Sequence, residues 1–572
     1  MARLNDEVGA LLREYADLIL LTGGNAFRAR SYEKAARSVG GYPEDLAHLD
    51  EEGIRKIPGV GDSTAAKITE YLATRHIAAL DKLRAKVPPG VREITAIPTV
   101  GPKTAVQLYR TLGIKSVAEL RAAIDADKVK GLPGLGPRAV QNIRQGIEQV
   151  SRAGERALLN TALDLAEELV AAISEAPGCS RCAYAGSLRR MRESVGDIDI
   201  LATAKNSSPL MAALLDRPEV ADVIGSGPTK TSVRTASGLQ VDLRVVPPAD
   251  WGAALIYFTG SRAHNIKLRG RAVKAGLKLS EYGLFDVESG KKLASRTEKE
   301  VYAALGLPVI PPALREDRGE IEAALEGELP DLVRLQDLRG DLHTHTNLTD
   351  GLASLEAMLE AAAGLGYAYY AVTDHAPNLA MQRMTDDKML AQREQARALD
   401  RSHHGMRVLH GTELNIDADG DVDWPAEFLS HFDICVASIH STFNLDRAAQ
   451  TRRLIRACEN PHINIIGHPT TRLLDRRDPI DVDLDAVFAA AGRTGTALEI
   501  NASPNRLDLN DEQIMAARRH GVRFAINSDA HSVPQLENQR FGIATAQRGW
   551  LTKEDVINTW SLSRLRRFLR KS

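Results

Sequence analysis

The sequence has few cysteines, few aromatic residues and no long apolar run, and each shortage excludes a class of protein. Four cysteines and 5% aromatic residues in 572 positions do not make the disulfide framework of a small secreted domain. Cys179 and Cys182 form a CxxC with no second pair beside it, so we interpret them as reduced thiols rather than half of a metal site. No apolar run approaches the roughly 18 residues of a membrane span, and the N-terminus MARLNDEVGALLREYAD is too acidic for a signal peptide. We expect a cytoplasmic protein without a membrane partner.

The length and the distribution of charge indicate several domains with different tasks. A chain of 572 residues allows three or four domains of roughly 100 to 200 residues each. Residues 1–320 hold 45 Lys and Arg against 39 Asp and Glu, a net +6, whereas residues 321–572 hold 28 against 36, a net −8. The first part suits a polyanion such as nucleic acid, and the carboxylate-rich second part suits bound metal ions.

One motif recurs three times in the first 150 residues. The copies are IPGVGDSTAAKI (57–68), IPTVGPKTAVQL (97–108) and LPGLGPRAVQNI (132–143). Glycine permits backbone geometry and close approach that a side chain would block, and amides at a helix start can bind a phosphate without any base contact. The motif resembles the helix-hairpin-helix, which holds DNA backbones without sequence preference; the alternative is three ordinary interhelical turns. The candidate DNA-binding residues are Gly59, Gly61, Gly101, Gly134 and Gly136.

The hydrophobic pattern changes twice along the chain. Residues 1–150 show apolar positions at helical spacing, and from about residue 180 short β-rich runs such as DIDILATA and LQVDLRVVP appear. A polar, proline-bracketed stretch at 311–338 predicts a linker. From residue 340, seven strand-helix repeats predict a barrel related to the (β/α)8 plan.

Three carboxylates form the first candidate catalytic site. Asp197 and Asp199 lie two residues apart on a predicted strand, which puts both on one face, and Asp242 lies on a second strand that could pair beside it. Converging carboxylates suit two Mg²⁺ ions and phosphoryl transfer. Just upstream, Gly186 and Ser187 offer amides and a hydroxyl at a strand-to-helix turn, and Arg190 offers a guanidinium for phosphate.

The string GSLRRMRESVGDIDIL resembles the nucleotidyltransferase signature of family X DNA polymerases, and YFTGSRAHNIKLR (257–269) resembles their nucleotide-binding segment. The resemblance implies a DNA polymerase that uses dNTPs and Mg²⁺. Gln240 stands where the vertebrate repair member has an arginine that organises the third aspartate, and Arg262 where it has an aspartate near the base. The nucleotide-binding residues implied are Arg156, Gly186, Ser187, Arg190, Tyr257, Phe258, Gly260, Ser261, Asn265 and Arg269.

The N-terminal helices resemble the small domain of the same family, which binds the 5′ phosphate of a gap. Lys67 occupies the position of the Schiff-base lysine that removes a 5′ deoxyribose phosphate, a role that requires an amine activated by its surroundings. Ser63 replaces a second lysine expected there, which weakens the local electrostatics. Lys67 is therefore either a lyase nucleophile or only a phosphate ligand.

A second set of candidate ligands follows the predicted barrel strands. Each strand except TALEINAS ends in a histidine or a carboxylate, and the carboxyl ends of barrel strands meet at one rim. The set is His343, His345, Asp350, His375, Glu413, His440, His468, Asp529 and His531. The isolated residues His403, His404 and His520 fit structural roles better.

The strings HTH, TDH, GTELN, SIH, GHP and SDAH resemble the PHP (polymerase and histidinol phosphatase) domain across residues 340–572. That resemblance implies a distorted seven-stranded barrel with up to three ions. Mixed imidazole and carboxylate ligands suit Mn²⁺ or Zn²⁺, and such a cluster activates water against a phosphoester. Asp374 could orient a ligand as its hydrogen-bond partner.

Both resemblances together identify the chain as a member of the bacterial and archaeal family X DNA polymerases with a C-terminal PHP domain. We expect a multidomain α/β protein with an N-terminal helix-hairpin-helix part, a nucleotidyltransferase palm and thumb, and a distorted (β/α)7 barrel. The expected boundaries are 1–85 for a small lyase-like domain, 86–153 for fingers, 154–248 for the palm, 249–315 for the thumb, 316–338 for a linker and 339–572 for the PHP domain.

The function implied is filling of short gaps in DNA repair by a monomer bound to gapped or nicked duplex. The PHP site would act as a 3′-5′ exonuclease or would cut at abasic sites. Two alternatives stay open. The PHP domain could be a small-molecule phosphatase tethered to the polymerase, or the whole chain could be a catalytically weak scaffold that binds DNA ends.

Overall fold

The computed structural model describes residues 4–147 and 156–571, except 41, 43–45, 96, 98–99, 130–131, 133–134, 137–138, 142, 145, 380–383 and 403–404. Gly134, His403 and His404 therefore lie outside the described residues. Among the described helices, none is long and apolar enough to cross a membrane.

The N-terminal part is helical, as the apolar spacing predicts. Its helices share one core, in which Leu12, Ile68 and Leu108 are fully buried. Two of them begin directly after a motif glycine, Gly61 or Gly101. The helices are Leu4–Leu21, Ala26–Gly40, Glu51–Arg55, Asp62–Thr74, Ala78–Arg84, Pro89–Thr95, Pro102–Leu112 and Val117–Asp125, with a 3-10 turn at Leu46–His48.

The next part begins with a separate strand pair, β1 (Ala157–Leu158) and β3 (Ser194–Val195). A five-stranded mixed sheet contains β2 (Arg181–Tyr184), β4 (Asp197–Thr203), β5 (Val220–Ser226), β6 (Lys230–Thr235) and β7 (Gln240–Val246). The strand order in this sheet is β2-β4-β7-β6-β5. Helices Leu159–Ser174, Gly186–Arg189 and Ser208–Leu215 accompany the sheet. Cys179 and Cys182 are free thiols here, as expected.

A smaller three-stranded sheet follows, in the region where the sequence predicts a thumb. It contains β8 (Leu277–Ser280), β9 (Gly283–Asp286) and β10 (Lys292–Ala294), with helices Trp251–Thr259, Arg262–Lys274 and Glu298–Ala304. The expected linker, 316–338, is ordered and contains the helix Glu320–Glu326. Its Arg318 forms ion pairs with Asp511 and Glu512 of the following barrel, so the connection is fixed to the barrel.

Seven parallel strands in sequence order form the C-terminal barrel. They are β11 (Gly340–Asp341), β12 (Tyr369–Val372), β13 (Arg407–Asn415), β14 (Ile434–Ser438), β15 (Ile465–Ile466), β16 (Ala497–Asn501) and β17 (Phe524–Asn527). A parallel bridge between Thr344 and Ala530 joins the first strand to the last. The intervening and C-terminal helices are Leu355–Gly364, Asp386–Ser402, Ala426–Leu429, Arg447–Glu459, Leu484–Thr494, Asp511–Arg518, Gln539–Arg548 and Leu562–Leu569. The predicted seven-stranded plan is confirmed.

Candidate active sites

The three predicted carboxylates lie together on the five-stranded sheet. Strands β4 and β7 pair in parallel, with Asp199 directly opposite Asp242, and both residues line one small pocket with Phe258. Burial and the charges of Asp197 and Asp242 raise the pKa of Asp199 to about 6. Because each carboxylate disfavours the charge of its neighbour, a bound cation would relieve the repulsion.

Neighbouring side chains hold the Asp242 carboxylate in place and stabilise its charge. Burial would raise its pKa, but hydrogen bonds from Lys230, Ser232 and Gln240 lower it. Lys230 Nζ lies 2.7 Å from Asp242 Oδ2, and Gln240 Nε2 donates to Asp242 Oδ1 at 3.0 Å. Gln240, where the family's vertebrate member has arginine, thus still orients the third aspartate.

The glycine of the GSLRR turn is required by its geometry. Gly186 has φ +60°, and a Cβ there would collide with the Asp199 carboxylate. The Ala185 amide donates to the Asp199 carbonyl at 2.7 Å. The turn that carries Ser187 is therefore built directly against the acidic site.

Arg190 does not point freely toward the acids. Its Nε donates to Glu316 Oε1 at 3.0 Å and its Nη1 to the Thr259 carbonyl at 2.6 Å. Only 12% of its side chain is exposed. Arg190 would therefore have to release Glu316 in order to bind a triphosphate.

The predicted nucleotide segment is held together locally. Tyr257 and Phe258 pack edge to face with ring centroids 5.1 Å apart. Asn265 Nδ2 donates to the Tyr257 carbonyl at 2.8 Å, and Arg269 Nε donates to the Asn265 carbonyl at 3.3 Å. Of this segment, Phe258 reaches the acidic pocket.

The remaining members of the predicted nucleotide set lie at turns beside the sheet. Gly260 has φ +69° and lies against Arg190 Nη1, and the Ser261 hydroxyl caps the helix that begins at Arg262. Arg156 donates from Nε to the Ser194 hydroxyl at 3.0 Å. Arg156 therefore braces the strand that leads into Asp197.

The helix-hairpin-helix glycines correct one expectation. Gly61 and Gly101 have φ −91° and −76°, so the expectation that they supply unusual backbone geometry is wrong at these two positions. The left-handed residue is Gly59, with φ +81° and the Lys34 side chain against it. A Cβ at Gly61, Gly101 or Gly136 would meet no described atom within 4 Å, which leaves room for an external ligand.

Lys67 lies one turn into the helix that follows Gly61. Its Nζ donates to the Ser63 carbonyl at 2.8 Å and to the Ser63 hydroxyl at 3.0 Å. The same nitrogen lies 5.4 Å from the ring centroids of Tyr15 and of Tyr32. Both rings therefore lie within cation-π distance of the Lys67 side chain.

The nine predicted ligands of the barrel converge on one cluster centred on Glu413. Its two carboxylate oxygens lie 2.9 to 3.6 Å from a nitrogen of each of five histidines. Asp529 Oδ1 lies 3.1 Å from His345 Nε2, and Asp350 Oδ1 lies 3.4 Å from His375 Nε2. The five histidines are His343, His345, His375, His440 and His468. His531 Nε2 lies 3.4 Å from Asp350 Oδ1.

The donor set fits divalent ions. Within the described residues, imidazole nitrogens of His343, His345, His375 and His468 are buried without a hydrogen-bond partner, a costly state unless a ligand satisfies them. Among the described residues, the side chains form three candidate metal-binding groups, and within each group the ligand atoms lie within 4.8 Å of one another. Burial, followed by the charges of His531 and His375, lowers the pKa of His345, which favours the neutral imidazole that binds metal.

Glu499 is a residue of the site that the sequence did not reveal. It lies inside β16, the one strand without a terminal ligand, and its Oε1 is 2.7 Å from His343 Nδ1. The His468 amide donates to its other oxygen at 2.7 Å, and Asn527 donates to Oε1 at 2.9 Å. The signal in the sequence was a glutamate between Leu498 and Ile500 in a predicted barrel strand.

Two other predictions concern residues that are not in the ligand set. Asp374 accepts hydrogen bonds from Thr346, Thr349 and Gln392, so it fixes the loop that leads to Asp350 rather than a ligand itself. His520 lies outside the cluster and pairs with Asp485 at 2.8 Å, as expected for a structural histidine.

Sequence profiles of known families match four segments of the chain. They are a helix-hairpin-helix domain over 3–77, a SAM-like helix-hairpin-helix tandem over 91–149, a DNA polymerase beta thumb over 254–316 and a PHP domain over 341–503. The order of these segments is the order of the domains described above.

Curated proteins are similar over the whole chain or over parts of it. The DNA polymerase/3′-5′ exonuclease PolX of Bacillus subtilis (strain 168) is 35% identical over 565 residues, 98% of both chains. The chain belongs to the family X DNA polymerases with a C-terminal PHP domain. The DNA polymerase lambda of Rattus norvegicus is 30% identical over 327 residues, which cover 51% of this chain and 53% of that protein. A probable phosphatase of Thermoanaerobacter sp. (strain X514) is 27% identical over 243 residues, which cover 40% of this chain and 94% of that protein. Family membership implies DNA and dNTP substrates and divalent metal ions.

Proposed function

We propose that this chain is a gap-filling repair polymerase that binds gapped or nicked duplex DNA as a monomer. The observation that carries the proposal is the pairing of Asp199 with Asp242 across β4 and β7, beside the Gly186 turn. The proposed domains span residues 1–85, 86–153, 154–248, 249–315, 316–338 and 339–572. Gly61, Gly101 and Gly136 would face DNA phosphates through their open sides.

In the polymerase site, Asp197, Asp199 and Asp242 would hold two Mg²⁺ ions. Bound ions supply stabilisation of the charge that develops at the α-phosphate. The amides of the 186–187 turn and the Ser187 hydroxyl would bind the triphosphate, joined by Arg190 once it leaves Glu316. The primer 3′ hydroxyl attacks the α-phosphate and pyrophosphate leaves.

The PHP cluster would hydrolyse phosphodiesters, as a 3′-5′ exonuclease or at abasic sites, with Mn²⁺ or Zn²⁺ as its ions. The similarity to a probable phosphatase keeps a tethered small-molecule phosphatase as the second candidate. Arg506 lies beside the cluster, with Nε 3.8 Å from Asp529 Oδ2, and a basic group at this position favours DNA.

For Lys67, the proposed role is attack on the sugar aldehyde of a 5′ deoxyribose phosphate. Its position in the helix that begins after Gly61, with Nζ on the first-turn residue Ser63, supports the role. Trapping with borohydride would give a covalent DNA adduct in the wild-type protein and none in Lys67→Ala. An adduct of equal yield in both proteins would reduce Lys67 to a phosphate ligand.

The deciding experiment uses a labelled one-nucleotide-gapped duplex, all four dNTPs and either Mg²⁺ or Mn²⁺. We expect Asp197→Ala, Asp199→Ala to lose extension and to keep 3′ shortening. We expect the reverse for His343→Ala, His345→Ala. If the wild-type protein binds the gap but neither extends nor shortens it, the scaffold alternative replaces the enzyme.

A further inference from the structure

Three side chains form a patch on the barrel rim beside the metal cluster, and none of them belongs to the predicted ligand set. The rim patch consists of Phe443, Arg477 and Arg506. Arg506 lies in the loop between β16 and the helix Asp511–Arg518. Its Nε is 3.8 Å from Asp529 Oδ2, and its Nη1 is buried with no hydrogen-bond partner within the described residues.

Asp529 does not satisfy the Arg506 guanidinium. The Oδ2 atom already accepts from Asn501 Nδ2 at 3.0 Å, and Oδ1 faces His343 and His345 at 3.7 and 3.1 Å. Once the cluster holds divalent ions, Arg506 adds positive charge beside positive charge. An anion placed between them removes that repulsion and gives Nη1 an acceptor.

Arg477 adds a second positive charge near Arg506. Its guanidinium lies 4.2 Å from the Phe443 ring centroid, and its Nε donates to the Thr471 carbonyl at 2.8 Å. Burial and then the charge of Arg506 lower the pKa of Arg477 to about 10, so it stays charged at neutral pH. Asp508, the nearby acid, is already hydrogen-bonded to Thr470.

We propose that Arg506 binds the phosphate of the substrate at the PHP site, and that Arg477 with Phe443 receives the adjoining nucleotide. The inference rests on the proposed nuclease function and names its substrate class, a single-stranded DNA 3′ end. Guanidinium binds a phosphate through two parallel hydrogen bonds, and an aromatic face accepts any base. A second cation and a ring beyond the first phosphate exceed the needs of a small phosphomonoester.

The test uses the variants Arg506→Gln, Arg506→Lys and Arg477→Gln. The control is Arg476→Gln, which removes the same charge from an exposed arginine next to Arg477. Manganese-loaded protein shortens a labelled single-stranded oligothymidylate, and manganese content is measured for each variant. We expect Arg506→Gln to raise KM about ten- to hundredfold with unchanged metal content, and Arg506→Lys to restore part of the loss. Arg477→Gln should raise KM for the oligonucleotide and leave p-nitrophenyl phosphate unaffected.

A binding measurement separates this inference from the nuclease function itself. Manganese-loaded protein carrying Asp197→Ala and Asp199→Ala is titrated with thymidine 5′-monophosphate, with and without Arg506→Gln. A Kd about tenfold or more weaker supports the phosphate site even if wild-type protein does not shorten DNA, which would end only the nuclease proposal. An Arg506→Gln variant equal to Arg476→Gln in both assays overturns the inference, as does a loss of manganese that accounts for the whole effect.

Discussion

Arg472 Nη2 lies 2.6 Å from Glu193 Oε2 and joins the barrel to the palm. Each residue follows a candidate site on its own domain, since Arg472 lies four residues after His468 and Glu193 three residues after Arg190. The same guanidinium nitrogen donates to the Leu507 carbonyl, and Leu507 packs in the core of the palm. Arg472, with 7% of its side chain exposed, therefore connects the two domains close in sequence to both candidate active sites.

Removing this ion pair should weaken the docking of the two domains. We expect a double-mutant cycle of Glu193→Gln and Arg472→Gln to give a coupling free energy of about 1 to 2 kcal/mol, measured by denaturant unfolding of the full chain. Arg493→Gln, which breaks the exposed pair with Glu459 on the outer face of the barrel, is the matched control. Additive effects in the cycle would show that the contact does not couple the domains.

Glu499 should control metal affinity without touching a metal. By accepting from His343 Nδ1 it directs the Nε2 lone pair toward the cluster, and loss of such a partner costs about 10- to 100-fold in metal affinity. Glu499→Gln should lower manganese affinity by that factor, measured by chelator competition and metal analysis. Glu459→Gln, an exposed change on the same domain, should have no effect. Equal affinities in both variants would contradict the role.

Gly186→Ala should abolish DNA extension and leave 3′ shortening intact. The new methyl group would collide with the Asp199 carboxylate, and alanine is strained at φ +60°. Gly238→Ala tests the strain alone, because Gly238 also has positive φ but no atom within 4 Å of an added Cβ. Extension at the wild-type rate by Gly186→Ala would mean that the turn can move away from Asp199.

Protonation of Glu298 at acid pH should make the polymerase part less stable. Burial would raise its pKa, but Arg189 and Arg315 lower it from 4.5 to about 2. Because the folded pKa is depressed, the stabilisation is complete above the unfolded value and is lost as pH falls from about 4.5 toward about 2. It amounts to roughly 1 to 3 kcal/mol at neutral pH. Glu298→Gln should lower the free energy of unfolding at pH 7, and the difference from wild type should shrink toward pH 2. A difference independent of pH would refute the assignment.

The order of the domains and most of the candidate ligands could be predicted from the sequence, because they depend on local patterns. Strand alternation placed Asp197 and Asp199 on one face, and the position after each barrel strand placed His440 and His468 at one rim. These relations depend on the geometry of one or two neighbouring strands.

The errors and omissions concern contacts between residues far apart in the chain. The sequence predicts Arg190 as a phosphate ligand, but it could not show that Glu316, 126 residues away, accepts a hydrogen bond from its guanidinium. Glu499 escaped notice because its function depends on His343, which lies 156 residues away. The open sides of Gly61 and Gly101 likewise depend on how their neighbours pack.

By itself the sequence determined the family, through the resemblance of its motifs, and the seven-stranded barrel with its two sets of candidate metal ligands, since periodicity and spacing fix which residues share a face. Only the tertiary structure decided which groups were left unsatisfied. Arg506 and Arg472 are both arginines of barrel loops. Arg472 is bound to the palm, whereas Arg506 lies beside the Glu413 cluster and its Nη1 has no hydrogen-bond partner among the described residues. That difference arises from packing between distant segments, because hydrogen-bond partners are assigned only when the chain is folded.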